Sequence, residues 1–135
     1  MTDFRIFDIA GSAMNAQSVR LNTVASNLAN ADSVAGRAAD VYRARMPVFQ
    51  TQAPDGQPHQ AGVEVTEIVE SQAPVQQRYQ PGHPDANADG YVFVSNVDPV
   101  EEMVNMISAA RSYQSSTEVL NTSKDLLMRT LNLGR

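Results

Sequence analysis

From Phe4 to about Asn30 the larger apolar residues recur as Phe7, Met14, Leu21 and Leu28, with Ala10, Gln17, Val24 and Ala31 forming a second row between them. Alternating steps of three and four are the heptad signature of a helix that packs along one stripe. Thr2 or Asp3 can cap the start, and Asp32, Ser33 and Gly36 supply the residues that end it. The last third of the chain repeats the pattern with a sharper beginning. Asp98 fits an N-cap, Pro99 the first helical position, and Glu101 and Glu102 add negative charge in the first turn. The predicted stripe of this second helix runs Met103, Met106, Ala110, Tyr113, Thr117, Leu120, Lys124, Leu127 and Leu131, with Gly134 able to close it.

Between the helices the spacing shifts to short extended runs bounded by Pro and Gly, at 42–50, 63–69, 74–79 and 91–95. The stretch 51–62, TQAPDGQPHQAG, is rich in Pro, Gly and Gln and is expected to be a mobile loop. The organisation predicted is therefore α+β. Residues 1–35 form the N-terminal helix of a terminal coiled-coil domain, 36–97 a small β-rich middle segment containing the loop 51–62, and 98–135 the C-terminal helix of the terminal domain.

Composition narrows what such a chain can do. Only 6% of the 135 residues are aromatic, Trp is absent and much of the apolar content is Ala, so the core is expected to be thin. The net charge is -5 and the basic residues are scattered, which leaves no stripe to neutralise a row of phosphates; nucleic acid is not an expected partner. With no Cys, disulfides, thiolate metal sites and Cys nucleophiles are excluded. Asp3 and Asp8 stand where a secretory signal needs positive charge followed by an apolar run, so no such signal is read. No stretch approaches the roughly 18 consecutive apolar residues of a membrane helix, and no membrane insertion is expected. The expectation is a soluble chain, or one delivered by a route that leaves its N-terminus intact.

Asp85, Asn87, Asp89 and Gly90 fit positions 1, 3, 5 and 6 of a calcium loop, but the twelfth place is Asn96, which cannot give a bidentate carboxylate, and 91–94 reads as strand where a helix should begin. A calcium-binding module using the Asp85, Asn87 and Asp89 loop is the alternative functional reading. His59 and His83 sit in Pro/Gly-rich loops, and no nucleophile elbow or phosphate-cradling loop is present. No catalysis and no cofactor are expected.

The helices themselves point to assembly. Their seams mix apolar positions with Gln17, Thr117 and Lys124, and their flanks carry Asn, Ser, Gln and Ala in place of the Lys and Glu of a solvated face. Small and amide side chains permit close helix approach and direct hydrogen bonding to neighbours. A cytosolic coiled-coil adaptor would carry denser flanking charge. So thin a seam predicts terminal segments that are partly disordered in the monomer and order when several copies or partners pack side by side.

Several segments carry a family resemblance: FDIAGSA at 7–13, ASNLANADS at 25–33, YQPGHP at 79–84, GYV at 90–92, NVD at 96–98 leading to EMV at 102–104, RSYQ at 111–114 and LNLG at 131–134. In that order, over nearly the whole chain, they resemble the FlgC family of flagellar rod proteins; the SNLAN element alone is shared more widely among rod and hook axial proteins. The chain departs from many axial proteins at 32–40, where DSVAGRAAD stands in place of a turn like Thr-Pro-Gly-Tyr.

The resemblance implies a structural subunit of the proximal rod of the bacterial flagellar basal body. Such a subunit is exported through the flagellar type III apparatus without a cleaved signal peptide and joins the periplasmic rod. Its implied partners are other rod proteins, copies of itself, and the export and membrane-ring components. The terminal helices would form an inner coiled-coil layer with the middle segment outside it. On matching positions, assembly contacts would come from Asn22, Ser26, Asn27 and Asn30 on the first helix and from Met103, Met106, Arg111, Tyr113 and Gln114 on the second. To these the heptad seams add Met14, Leu21, Leu28, Leu120 and Leu127.

Overall fold

The computed structural model describes residues 2–53 and 62–134, with side chains from residue 5 onward. Helix α1 spans Thr2–Ala29 and helix α2 spans Pro99–Leu133. Between them lie β1 (Val34–Ala35), β2 (Arg45–Gln52), β3 (Gly62–Glu70), β4 (Gln76–Tyr79) and β5 (Tyr91–Val94). The architecture is the expected α+β arrangement of two long terminal helices and a small β-rich middle.

At 28 and 35 residues the helices reach about 42 and 52 Å. They pack antiparallel: Arg20 Nη2 donates to Asn105 Oδ1 at 3.2 Å, Met14 Sδ lies 3.9 Å from Thr117 Oγ1, and Ile6 shares a small cavity with Ser123 and Leu127. The start of α2 follows the sequence reading. Asp98 Oδ1 accepts from the N–H groups of Val100 at 2.9 Å and Glu101 at 3.3 Å, satisfying donors that have no partner inside the helix.

The phase of the seam differs from the expectation. Of the second row, Ala10 and Val24 on α1 and Ala31 just beyond it are buried, as is Ala16, while Gln17 is half-buried; the bulkier Phe7, Met14, Leu21 and Leu28 are also only half-buried. On α2 the buried positions are Glu102 and Ala109, and Met103, read as the first residue of the inner stripe, is 49% exposed. Among the apolar residues of the two helices the most completely covered are small, and the larger ones keep part of their surface.

Helix α1 ends at Ala29, one residue before Asn30, where the heptad pattern stops. Asn30 N–H bonds to the carbonyls of Ser26 and Asn27, its Nδ2 reaches Ser26 O at 2.8 Å, and Val34–Ala35 has become a strand. Strand β1 pairs antiparallel with β5 (Val34 with Val94), and β5 pairs with β4 on its other side, giving the order β1-β5-β4. The core beneath this sheet is four valines, Val41, Val92, Val94 and Val97.

Strands β2 and β3 form a separate antiparallel pair from Arg45 opposite Glu70 to Gln52 opposite Gly62, with a bulge between Val48 and Phe49. Its root sits beside Asn27 and its far end beside Ser12, whose Oγ accepts from Val63 N–H at 3.1 Å. Those anchor points are about four turns, ~22 Å, apart along α1. Of the predicted loop, Thr51, Gln52 and Gly62 belong to these strands, and 54–61 lies outside the described residues.

Gly90 is the one glycine with a positive φ, 79°, among the described residues. A Cβ there would also sit 2.9 Å from the Tyr79 ring and 3.1 Å from Pro81. Replacing Gly90 with Ala is expected to cost about 1–3 kcal/mol. The readout is urea unfolding followed by tyrosine fluorescence, since Tyr79 and Tyr91 stack edge-to-face with centroids 5.2 Å apart. An unchanged midpoint would show that the turn tolerates a side chain.

Candidate assembly surfaces

Where α1, β2 and α2 meet, one side chain uses its whole hydrogen-bonding capacity. Asn27 is fully buried; its Oδ1 accepts from Tyr42 Oη at 2.9 Å and from the Arg45 N–H at 2.9 Å, while its Nδ2 donates to the Arg45 carbonyl at 2.8 Å and to Glu102 Oε2 at 3.1 Å. Two acceptor and two donor positions are what a carboxamide offers. The Tyr42 hydroxyl also lies 3.3 Å from Ser26 Oγ, and the Arg45 guanidinium rests 5.4 Å from the Tyr42 ring centroid while pairing with Glu70 at 3.1 Å. That ion pair is about half exposed on each side and contributes little to stability.

Asn27 was read as a contact to neighbouring subunits. The structure corrects this: the side chain is enclosed by its own chain and has no capacity left for a neighbour. Asn30 is half-buried and caps the end of α1 through Ser26 O. Asn22 and Ser26 line an open cleft of about 620 Å³ between α1 and the hairpin root, along with Val19, Arg45, Ile68 and Glu70. Met14, Leu21, Leu28, Met106, Leu120 and Leu127 are half-buried on the flanks of the helix pair, with surface left to contact a further helix. Arg111, Tyr113 and Gln114 are exposed, and among the described residues no ion pair involves Arg111.

A second apolar stripe was missed in the sequence. Val100, Met103, Val104 and Ile107 are 66, 49, 62 and 57% exposed and follow the i, i+3, i+4, i+7 spacing of one helix face, turned away from α1. The signal was present in the spacing, but Met103 had been assigned to the inner stripe. Val119, Leu126 and Leu133, seven residues apart, are exposed on another side of α2. Single exposed apolar side chains are ordinary; runs in helical register on several faces of one helix are the mark of an interaction surface.

The segment 85–90 is a hydrogen-bonded turn. Asn87 Oδ1 accepts from the N–H groups of Asp89 at 3.0 Å and Tyr91 at 2.9 Å, and β5 follows where a calcium loop would lead into a helix. Nothing in this geometry supports the calcium alternative. No helix among the described residues is long and apolar enough to cross a membrane.

Comparison with known proteins places these surfaces in context. Residues 7–36 match the family described as "Flagella basal body rod protein", and residues 88–133 match "Flagellar basal body rod FlgEFG protein C-terminal". Over 135 residues, covering 100% of both chains, the protein is 56% identical to the flagellar basal-body rod protein FlgC of Salmonella typhimurium. The chain belongs to the FlgC family. It is likewise 55% identical to the FlgC protein of Yersinia enterocolitica over the full length of both, and 44% identical to that of Buchnera aphidicola subsp. Acyrthosiphon pisum, with 99% of each covered. The two family matches fall on α1 with β1 and on β5 with α2. The hairpin lies between them, in the part covered by the full-length FlgC relatives.

Proposed function

We propose that this FlgC-family chain is a structural subunit of the proximal rod of the flagellar basal body, polymerising with other rod proteins and with copies of itself into the drive shaft for motility. The observation that carries this reading is the outward stripe Val100, Met103, Val104 and Ile107, which a freestanding α-helical pair has no reason to keep. The half-buried flanks of the α1–α2 pair offer further surfaces for side-by-side helix packing. Arg111 continues the stripe one turn on and can reach a carboxylate on a neighbour with its planar fork.

The role is one of assembly without catalysis, and the chain's chemistry suits it: amides, hydroxyls and aliphatic groups dominate the exposed helix faces. The subunit is exported through the flagellar type III apparatus without loss of a signal peptide and takes its place in the periplasm, next to the export and membrane-ring components. Electron microscopy of basal bodies from a strain lacking the protein tests the reading. Membrane rings without a completed rod are expected, with rods restored by a plasmid copy; intact rods and filaments in the deletion strain would refute it.

A further inference from the structure

We propose that Glu102 is a positioning residue through which the start of α2 sets the orientation of the β2–β3 hairpin. The hairpin is two-stranded and largely exposed, and such a unit has little stability of its own. Its direction is therefore set by its ties to the rest of the chain: one hydrogen bond from Val63 N–H to Ser12 Oγ at the far end, and a denser set at the root. At the first pair, Arg45 opposite Glu70, the Arg45 main chain is held by the Asn27 carboxamide at both its N–H (2.9 Å) and its carbonyl (2.8 Å), as a neighbouring strand would hold it.

This clamp works in only one orientation of the amide. Turned over, Asn27 would set its NH2 against the Arg45 N–H and its oxygen against the Arg45 carbonyl. Glu102 favours the working orientation because its Oε2 accepts from Nδ2 at 3.1 Å, whereas a turned-over amide would set its own oxygen against that oxygen. Tyr42 donates to Oδ1 from the other side and agrees with it. Glu102 is 8% exposed, stands in the first turn of α2, and is separated from Asn27 by 75 positions in sequence.

A second tie to the same end of α2 comes from Asn96, just before the cap residue Asp98. Its Oδ1 accepts from the Ala44 N–H at 2.8 Å and its Nδ2 donates to the Ala73 carbonyl at 3.0 Å. One of these groups adjoins the entry to β2 and the other follows the exit from β3. The approach to α2 thus grips both sides of the hairpin root directly, and Glu102 grips it through Asn27. Ser12 and Asn27 hold the hairpin along α1, and docking of the start of α2 fixes the orientation of its root. This coupling is a property of one chain; its consequence for assembly, that the hairpin root is fixed once the C-terminal helix is seated, rests on the rod reading.

The chain has no Cys, so Ala25→Cys and Gln50→Cys place spin labels at two exposed sites, one on α1 and one on the hairpin. Pulsed electron paramagnetic resonance on the full chain is expected to give one narrow distance distribution. Adding Glu102→Ala is expected to widen it on the order of twofold, and Glu102→Gln, whose amide can still accept from Asn27 Nδ2 but can also donate to a turned-over Oδ1, to widen it less than alanine does. Equal widths in the parent and the alanine variant, or a glutamine variant as broad as the alanine one, overturn the proposal. Hydrogen exchange at the β5 amides separates positioning from global loss of structure: unchanged protection there supports positioning, and protection falling with the hairpin's overturns it. None of these readings depends on rod formation, so the deletion-strain experiment and this one can fail separately.

Discussion

Replacing Asn27 with Ala is expected to destabilise the folded chain by about 3–5 kcal/mol, the largest loss from any single truncation on α1. The change removes the partner of four groups at once: the Arg45 N–H, the Arg45 carbonyl, the Tyr42 hydroxyl and the Glu102 carboxylate. A buried group left unpaired costs about 1–3 kcal/mol, and a buried carboxylate deprived of its donor costs more than a neutral group. Water entering the space left by the amide recovers part of that sum, which is why the total stays below four full penalties.

Asn27→Asp makes a sharper variant of nearly equal shape. It loses both donors, leaves the Arg45 carbonyl unpaired and sets a second carboxylate against Glu102, so a loss at least as large is expected. Asn22→Ala, five residues earlier and exposed, is expected to change stability by no more than about 0.5 kcal/mol. Urea unfolding followed by circular dichroism compares the three. A loss under about 1 kcal/mol for Asn27→Ala would mean that the hub is not what joins the three elements.

The Asn27 case shows where reading the sequence stopped. Its neighbourhood in the chain marks it as a polar residue near a helix end, three positions from Asn30 on a similar face, and contact to another subunit was a fair inference from that. Its real partners lie 15, 18 and 75 positions away, and local spacing carries no information about any of them. Asp98, by contrast, was legible because a helix cap is made within three residues, by donors whose positions the helix itself dictates. The four longer strands were legible for a similar reason: alternation and Pro/Gly boundaries are local. Strand β1 was not, because two residues hold no pattern and Val34–Ala35 is a strand only through its pairing with β5.

The helix seam was half legible. Periodicity showed that both terminal segments are helical and pack along a stripe, but it ranked positions by apolar bulk. The structure buries the small Ala10, Ala16 and Ala109 and leaves the bulkier Leu21, Leu28 and Leu120 half-buried. In a two-helix protein the bulky row would be wasted at the flank. In a polymer the flank of one pair is the interior of the next contact, and the same residues serve as core once a neighbour arrives.

That distinction makes the outward stripe of α2 the most direct place to separate folding from assembly. Val104→Asp and Ile107→Asp alter side chains that are 62 and 57% exposed and touch no buried polar group, so each is expected to leave subunit stability within about 0.5 kcal/mol of the parent. In the rod the same positions would be covered. Burying Val100, Met103, Val104 and Ile107 contributes roughly 1.5–3 kcal/mol per side chain before ordering costs, and a carboxylate placed in that contact is desolvated without a partner, at a cost of several kcal/mol. Non-motile cells whose basal bodies lack a completed rod, despite normal urea unfolding of the purified variant, are the expected result. Swimming at the parental rate by the Val104→Asp/Ile107→Asp double variant would mean that this face stays in solvent in the assembled rod, and that neighbours approach α2 only along the flanks of the α1–α2 pair.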